Sequence, residues 1–370
     1  MDFYQKLRNQ LLKNNIELSL IYGKENKVNA LKNDEVDIEW GKYVPNKRMH
    51  IGNFEILWQP CLRFLNDKDL IITQQENRLL LNYYLILARN FSKYKFAYWG
   101  HVRNMQSNPN SIGNKFKFLF LHKCDWWFGY TKSAGKYLVD NKYPKNKITI
   151  VQNAIDTLSL QKYYADISEK EIMELKNKLG IESNNVGIFC GGMYPKKDFN
   201  FILKACFLIK KEIKDFHMLF IGSGIESINI AEASKTNNWI HYMGSKFGRD
   251  RVSYFKISTI QLMPRLVGLC ILDSFAMETP IITTDHPFHG PEIDYLENGV
   301  NGIMTVDNLE IYSTTIIDIL LTKKYLKLIE GGKKAAEYYT VEKMAENFKD
   351  GIISCLDNYK STEKFRLSSV

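Results

Sequence analysis

Strand-like and helix-like runs alternate along almost the whole chain. The runs "IELSLIYG", "DLIITQQ", "KFAYWGH", "WWFGYT" and "KITIVQN" in the first half, and "VGIFCGG", "HMLFIGSG", "WIHYMG", "IQLMP" and "PIITTD" in the second, are short and rich in β-branched and aromatic residues. Between them lie longer segments such as "NRLLLNYYLILARNF" and "FNFILKACFLIKKEI", whose apolar residues recur at three and four positions, the period of an amphipathic helix. Strands joined through helices run parallel to one another, with the helices covering both faces of the sheet. The pattern predicts an α/β protein. A chain of 370 residues exceeds what one core normally organises, so two such domains are expected. The polar, Lys/Glu-rich stretch from Gln161 to Asn185 separates them, which gives a first domain over 1–163 and a second over 164–340. The segment from Asn308 to Lys360 reads as nearly all helical, and its last part, 341–360, is expected to cross back and complete the first domain. The N-terminal "FYQKLRNQLLKNN" is helical in pattern, with no strand ahead of it where an α/β domain of this kind usually begins on one; either the start is trimmed or misassigned, or that strand is lacking.

Composition narrows the class. With 45% apolar and 25% charged residues the chain is an ordinary globular protein rather than a disordered one. It has no apolar run of about 20 residues and no signal-like start, so a cytoplasmic location is expected. Six well separated cysteines with no C-x-x-C pair point to a reducing compartment without structural zinc. Charge is unevenly placed: residues 1–150 hold 24 Lys/Arg against 13 Asp/Glu, and the remainder holds 26 against 28. The basic half is where an anionic partner would dock, a lipid surface, a phosphorylated acceptor or nucleic acid. "NKFKFLFLHKCDWWF" interleaves Lys115, Lys117 and Lys123 with apolar residues. It fits either a membrane-surface helix or a helix packed on a sheet with its lysines in water.

Ligands of open parallel sheets bind beyond the carboxyl ends of the strands, so the residues just past each strand are the candidates. In the second half these are "GGMYPKKDF", "GSGIE", "GSKFGR", "PRLVGL" and "DHPFHGPEI", each rich in glycine, cations or both. Gly191, Gly192, Gly222 and Gly244 allow close backbone approach, and Ser245, Lys246 and Lys197 add polar groups. A lone "GSG" is equally a tight turn, and a lone Lys197 equally a solvated lysine; five such loops in order argue for a site. In "PRLVGLCILDSFAMETPIITTD" a helix opens on Gly268 past a strand, which turns the backbone N–H groups of Val267, Gly268 and Leu269 towards an anion. Arg265 stands before that helix and Asp273 inside it.

In this order the loops resemble the family 4 glycosyltransferases. "KITIVQNAIDT" is similar to that family's segment at the domain junction, "IFCGGMYPKKDFNFILKA" to its phosphate loop, and "MPRLVGLCILDSFAMETPIITTDHPFHGPEIDYLENGVNGI" to its most characteristic block. The resemblance is clearest from about Tyr98 to Met304. It implies the GT-B fold, two Rossmann-like domains facing each other across a cleft, and transfer of a sugar with retention from a nucleotide-diphosphate donor to an acceptor glycan or lipid-linked sugar. It further implies that Lys197 and His101 serve catalysis, His101 as the cleft histidine near the donor sugar and Lys197 on the diphosphate. Asp273 would hold the ribose, and the segment Gly244–Lys246 would lie near the base. No metal and no cofactor beyond the nucleotide sugar are implied, and nucleic acid is not an expected partner; peripheral attachment to an anionic membrane through the basic domain is. The chain departs from the pattern at three places. Gly192 stands where the family commonly has an arginine, Asp273 where it has the second of two glutamates, and Arg265 where it has the first. Arg265 therefore meets the diphosphate, meets the sugar, or is simply solvated. These departures keep open a non-catalytic nucleotide-sugar binder; an epimerase on the same fold is the other alternative.

Overall fold

The computed structural model describes residues 2–24, 38–52, 54–105, 108 and 110–367. The chain divides into two compact units, Met1–Gln152 with Glu342–Val370, and Asn153–Val341.

The first unit opens on helix α1 (Asp2–Leu12). A short parallel pair, β1 (Ile21–Tyr22) and β2 (Lys42–Tyr43), and an antiparallel ribbon, β3 (Lys47–Ile51) and β4 (Phe54–Trp58), precede the main sheet. The run "IELSLIYG" thus forms only two residues of strand, and its ladder partner among the described residues is the equally short β2. The main sheet is parallel, with β5 (Leu70–Gln74), β6 (Lys95–Gly100), β7 (Trp126–Gly129) and β8 (Ile148–Ile150) side by side in chain order. Helices α2 (Leu80–Ala88), α3 (Ile112–Leu119) and α4 (Lys132–Asp140) lie in the connections. Phe96, Tyr98 and Trp127 form an aromatic spine within this core, with Phe96–Tyr98 and Tyr98–Trp127 centroids 4.8 and 5.1 Å apart.

The second unit carries six parallel strands: β9 (Val186–Cys190), β10 (His217–Ile221), β11 (Ile240–Gly244), β12 (Ile260–Leu262), β13 (Ile281–Thr284) and β14 (Gly302–Thr305). Their spatial order is β11-β10-β9-β12-β13-β14. The chain starts at the middle, winds outward to β11, then returns to the other side of β9. That reversal is the doubly wound topology, and it opens a crevice between the ends of β9 and β12. Strands β9, β12 and β13 are buried on both faces, so they show no alternation of buried and exposed positions, and the polar Gln261, Thr283 and Thr284 within them are buried too. The helices are α5 (Thr157–Asp166), α6 (Glu169–Leu179), α7 (Phe199–Glu212), α8 (Ser227–Thr236), α9 (Gly248–Lys256), α10 (Cys270–Ala276), α11 (Leu309–Leu321) and α12 (Tyr325–Tyr338). The seam between the units lies after Gln152, earlier than the residue 163 read from the sequence, because α5 packs on α9 and α10 and so belongs to the second unit.

Helix α13 (Val341–Leu367) carries the chain back into the first unit. Phe348 stacks on Phe128 at 4.9 Å, and Asn347 donates to the Val151 carbonyl and to Gln152 Oε1. Gly351 makes the close approach possible, since a Cβ there would lie 2.6 Å from the Phe128 ring.

Candidate active site

The carboxyl ends of β9, β10 and β11 are knitted into one surface. Gly191 N–H donates to the Ile221 carbonyl, Met193 N–H to Ser223, and Gly222 N–H to Gly244. Ser245 Oγ lies 2.9 Å from Ser223 Oγ. Gly222 has φ 134°, and a Cβ there would strike the Gly191 carbonyl, so glycine is required for these loops to touch. The structure therefore brings together Gly191, Gly192, Gly222, Gly244 and Ser245 as the sequence grouped them. Lys246 follows, with its ammonium 3.3 Å from Asp250.

Lys197 sits at the strand-order reversal. It is not the loop lysine in solvent that the sequence allows: it is 5% exposed, and Nζ donates to the Leu266 carbonyl at 2.8 Å with Met263 Sδ at 3.2 Å. Among the described residues no carboxylate lies within ion-pair distance of it. Burial pulls its pKa below the ordinary lysine range. A buried ammonium with one oxygen acceptor retains N–H capacity and an unmatched charge, which an anion bound in the crevice would satisfy.

The facing segment differs from the sequence reading at Val267. Its amide donates to His289 Nδ1 at 3.0 Å and so is not available to a diphosphate. His289 Nε2 in turn donates to the Thr284 carbonyl at 2.8 Å, which fixes a neutral ring with its proton on Nε2. Burial pushes that imidazole's pKa down and keeps it in this form. Neither Gly268 nor Leu269 donates its N–H to a carbonyl of the described residues outside helix α10. The preceding Leu266 holds φ 54°, a strained value for a leucine, and this turn aims its carbonyl at Lys197.

Arg265 and Asp273 both have protein partners. Arg265 Nη1 lies 2.7 Å from Asp198 Oδ2 and Nη2 3.4 Å from Asp307 Oδ2, with the guanidinium over the Phe201 ring. Asp198 also caps α7, accepting from Phe201 N–H, so Arg265 ties the loop that carries Lys197 to the β14 side of the sheet. Asp273 is 6% exposed and receives both terminal nitrogens of Arg251, at 2.9 and 3.2 Å. Burial pushes its carboxyl up, and the guanidinium pulls against that. Nothing in the sequence marks Arg251 as the partner of Asp273, which lies 22 residues further on.

In the first unit His101 follows β6 and is exposed, with its ring 4.4 Å from that of Tyr130. The turn after it is unusual: Arg103 N–H donates to the His101 carbonyl, and the intervening Val102 is buried with φ 64°. A β-branched residue in that region is strained, and such strain is concentrated at functional sites. The surrounding chain, and then the charge of Lys117, disfavour the imidazolium and lower the His101 pKa.

Comparison with known proteins accounts for this architecture. Residues 184–321 match the family model described as Glycosyl transferases group 1. A curated relative from Haemophilus influenzae, an uncharacterized glycosyltransferase, is 24% identical over 264 residues, 69% of each chain. Among solved structures, a glycosyltransferase from Rickettsia africae aligns with TM-score 0.68 at 16% identity, covering 95% of this chain and 94% of its own. HepE from Anabaena, solved in complex with UDP, aligns with TM-score 0.66 at 13% identity, covering 95% of each chain. The fold is GT-B, an α/β fold with parallel sheets.

Proposed function

We propose that this chain is a glycosyltransferase that takes a sugar from a nucleotide-diphosphate donor and passes it to an acceptor hydroxyl. The match of 184–321 to group 1 glycosyltransferases and the UDP bound to HepE support that general reading. The observation that carries it is Lys197, a buried ammonium without a carboxylate partner at the strand-order reversal, beside linked glycine loops. Negative charge grows on the diphosphate as its bond to the sugar breaks, so a fixed cation there stabilises the transition state more than the ground state. Lys197 meets that charge, together with the amides of Gly268 and Leu269. Asp273, held flat by Arg251, offers its remaining lone pairs to the ribose hydroxyls, and the Gly244–Lys246 loop borders the base.

The finer reading is retention at the anomeric carbon. The departing phosphate oxygen takes the acceptor proton on the same face, and His101, kept neutral, hydrogen-bonds the sugar. This scheme assigns charge stabilisation to Lys197 and backbone amides, with no metal and no cofactor beyond the donor. The product belongs to cell-surface polysaccharide or glycolipid assembly. The basic first unit attaches to anionic lipid, where α3 exposes Ile112, Phe116 and Leu119 beside Lys115. None of the described helices is long and apolar enough to cross a membrane.

The test is a thermal-shift panel of nucleotides and sugar nucleotides, followed by turnover of the best ligand with glycan and lipid-linked acceptors. Release of nucleoside diphosphate together with a new glycosidic bond of unchanged anomeric configuration is expected. Binding without turnover would favour a non-catalytic sugar-nucleotide binder, and an inverted product would end the retaining scheme. Flotation with anionic and neutral vesicles at low and high salt tests attachment; equal or absent binding would discard it.

A further inference from the structure

After β13 the turn Pro291–Tyr295 brings Glu292 against the loop 266–268, whose Leu266 carbonyl holds Lys197. Gly290 permits the approach. A Cβ there would lie 2.9 Å from Glu292 Oε2, 3.0 Å from the Val267 carbonyl oxygen and 3.3 Å from Gly268 Cα. The Gly290 N–H fastens the contact by donating to that same Val267 carbonyl at 2.6 Å.

Glu292 is 4% exposed, and a carboxyl so buried ordinarily has a cation or several hydrogen-bond donors. Among the described residues no cation lies within ion-pair distance of it. Oε1 accepts from Asn153 Nδ2 at 2.7 Å, and the residue's own backbone N–H draws on the carboxyl. Burial raises its pKa against both. Oε2 receives no hydrogen bond from any other described residue, yet it is not sealed from solvent. It edges the space in front of Gly268, where a Cβ would meet Oε2 alone, at 3.8 Å. The other polar side chains of this loop and its surroundings are occupied: His289 is bonded through both ring nitrogens, and Arg265 lies between Asp198 and Asp307. Lys197 and Glu292 therefore stand apart, a cation at Leu266 and an acceptor beside Gly268.

We propose that Glu292 Oε2 accepts a hydrogen bond from one hydroxyl of the transferred sugar, and so decides which sugar the site carries. This role rests on the glycosyl-transfer reading. The N–H groups of Gly268 and Leu269 draw a phosphate group to the turn, and a carboxylate beside an anion repels it unless a hydrogen-bond donor stands between them. In a sugar nucleotide the group joined to that phosphate is a ring of hydroxyls, each with a hydrogen to donate. A hydroxyl of the right configuration satisfies Oε2. Its epimer, or a sugar lacking it, leaves the buried carboxyl without a donor, and a site built to bond a substrate hydroxyl rejects the analogue without one more strongly than an apolar pocket does.

The experiment measures binding to the full chain by calorimetry, with UDP and UDP-glucose, GDP and GDP-mannose, and ADP and ADP-glucose as paired probes. For the pair that binds, the sugar nucleotide is then replaced by analogues that each lack one sugar hydroxyl. Glu292→Gln keeps an acceptor for Asn153 and puts an N–H group where Oε2 stood. It should weaken the sugar nucleotide about tenfold or more and the bare nucleoside diphosphate less than about twofold. In the wild type one deoxy analogue should show the same loss, and Glu292→Gln should weaken that analogue no further. Asn153→Ala removes the clamp and leaves the carboxyl, so it should change both members of the pair by the same factor. Equal losses for both members in Glu292→Gln, or no loss, would overturn the proposal and leave Glu292 as a partner of Asn153 only. A wild type indifferent to every missing hydroxyl would overturn it without a variant, which covers a Glu292→Gln chain that fails to fold. Failure of every pair to bind would sink the transfer reading and this role together. Discrimination at one hydroxyl that depends on Glu292, in a protein that transfers no sugar, would keep the contact and sink the transfer reading alone.

Discussion

The two sheet ends differ in how far their polar groups are matched within the protein. In the second unit the loops are interlocked by backbone bonds, and nearly every charge is matched inside the protein: Arg265 by Asp198 and Asp307, Arg251 by Asp273, Lys246 by Asp250. Two buried groups are exceptions among the described residues: Lys197 has no carboxylate within ion-pair distance, and Glu292 has no cation, accepting instead from Asn153 Nδ2 at 2.7 Å. In the first unit the sheet end is less finished. Among the described residues the Gln75 side-chain amide and the buried Thr131 hydroxyl have no partner and Lys117 has no carboxylate within ion-pair distance, while His101 precedes the strained Val102. A preorganised surface with one unmatched cation suits a ligand of fixed geometry, such as a diphosphate. A surface with scattered unmet demands suits a ligand that brings several kinds of polar group. On the proposed reading the difference would separate catalytic from structural charge, since an unmatched group gains a partner when a ligand arrives.

The sharpest way to break that contrast is Lys197→Met. Met keeps the buried stem and removes the cation. Loss of a charge contact to the departing diphosphate should cost about 2–4 kcal/mol in the barrier, a fall in kcat/KM of roughly 30- to 1000-fold, with comparably weakened binding of bare nucleoside diphosphate. Because the lysine is buried against Leu266, Lys197→Ala is expected to lower stability as well, and only the Met variant separates the two effects. Activity within about threefold of wild type would show that the unmatched charge is not the working one.

Asp273→Ala should act chiefly on stability. It strands Arg251 beside the core with no counter-charge, and breaking such a pair costs about 3–5 kcal/mol when fully buried. The Arg251 side chain is 23% exposed, so about 2–3 kcal/mol is the expectation from chemical denaturation. If Asp273 also holds ribose, Asp273→Asn will weaken nucleosides more than inorganic pyrophosphate. An Asn variant of unchanged stability and affinity would leave the pair without either role.

Arg265→Ala comes next, at about 1–2 kcal/mol of stability, since it frees two partly exposed carboxylates. Through Asp198 it also loosens the loop bearing Lys197, so bare diphosphate and every sugar nucleotide should weaken together, by a small common factor. A loss confined to one sugar nucleotide would show instead that Arg265 reaches the sugar.

The doubly wound sheet was legible because β9, β12 and β13 are short runs rich in apolar and β-branched residues, each with a loop rich in glycine or cations after it. β14 was not, since "GIMT" is four residues long and lies directly after the turn "ENGVN". The candidate site was legible as residue types at strand ends. Their pairing was not: that Arg251 would reach Asp273, or His289 the Val267 amide, depends on contacts 22 residues apart in each case. Arg265 shows the limit best. Its position in the motif suggested a ligand, and only the placement of Asp198 and Asp307 shows what already occupies it.

The smallest expected effect lies at the far end of the second sheet, away from either candidate site, and so serves as a control on the contrast. His217 and His241 stack on neighbouring strands with Nδ1 and Nε2 3.0 Å apart. Burial, His217 and Lys210 push the His241 pKa down from 6.5 to about 4, and His217 is lowered in the same direction. Between those values the unfolded chain binds a proton that the folded one refuses. The contribution to stability is therefore complete above about pH 6.5 and is lost as the pH falls towards 4. Asp273 and Glu292, whose carboxyls burial pushes up, give a slope of the opposite sign at the acid end of this window, so the comparison must be with a variant. His241→Gln keeps a polar side chain and removes the titration. The wild type should lose on the order of 2–4 °C more than His241→Gln between pH 7 and pH 5, a modest figure because the ring is partly exposed. Nucleotide affinity should not differ between the two at pH 7. Identical pH profiles would show that the histidine pair is protonated in the folded chain, and a change in nucleotide affinity would bring this end of the sheet into the site.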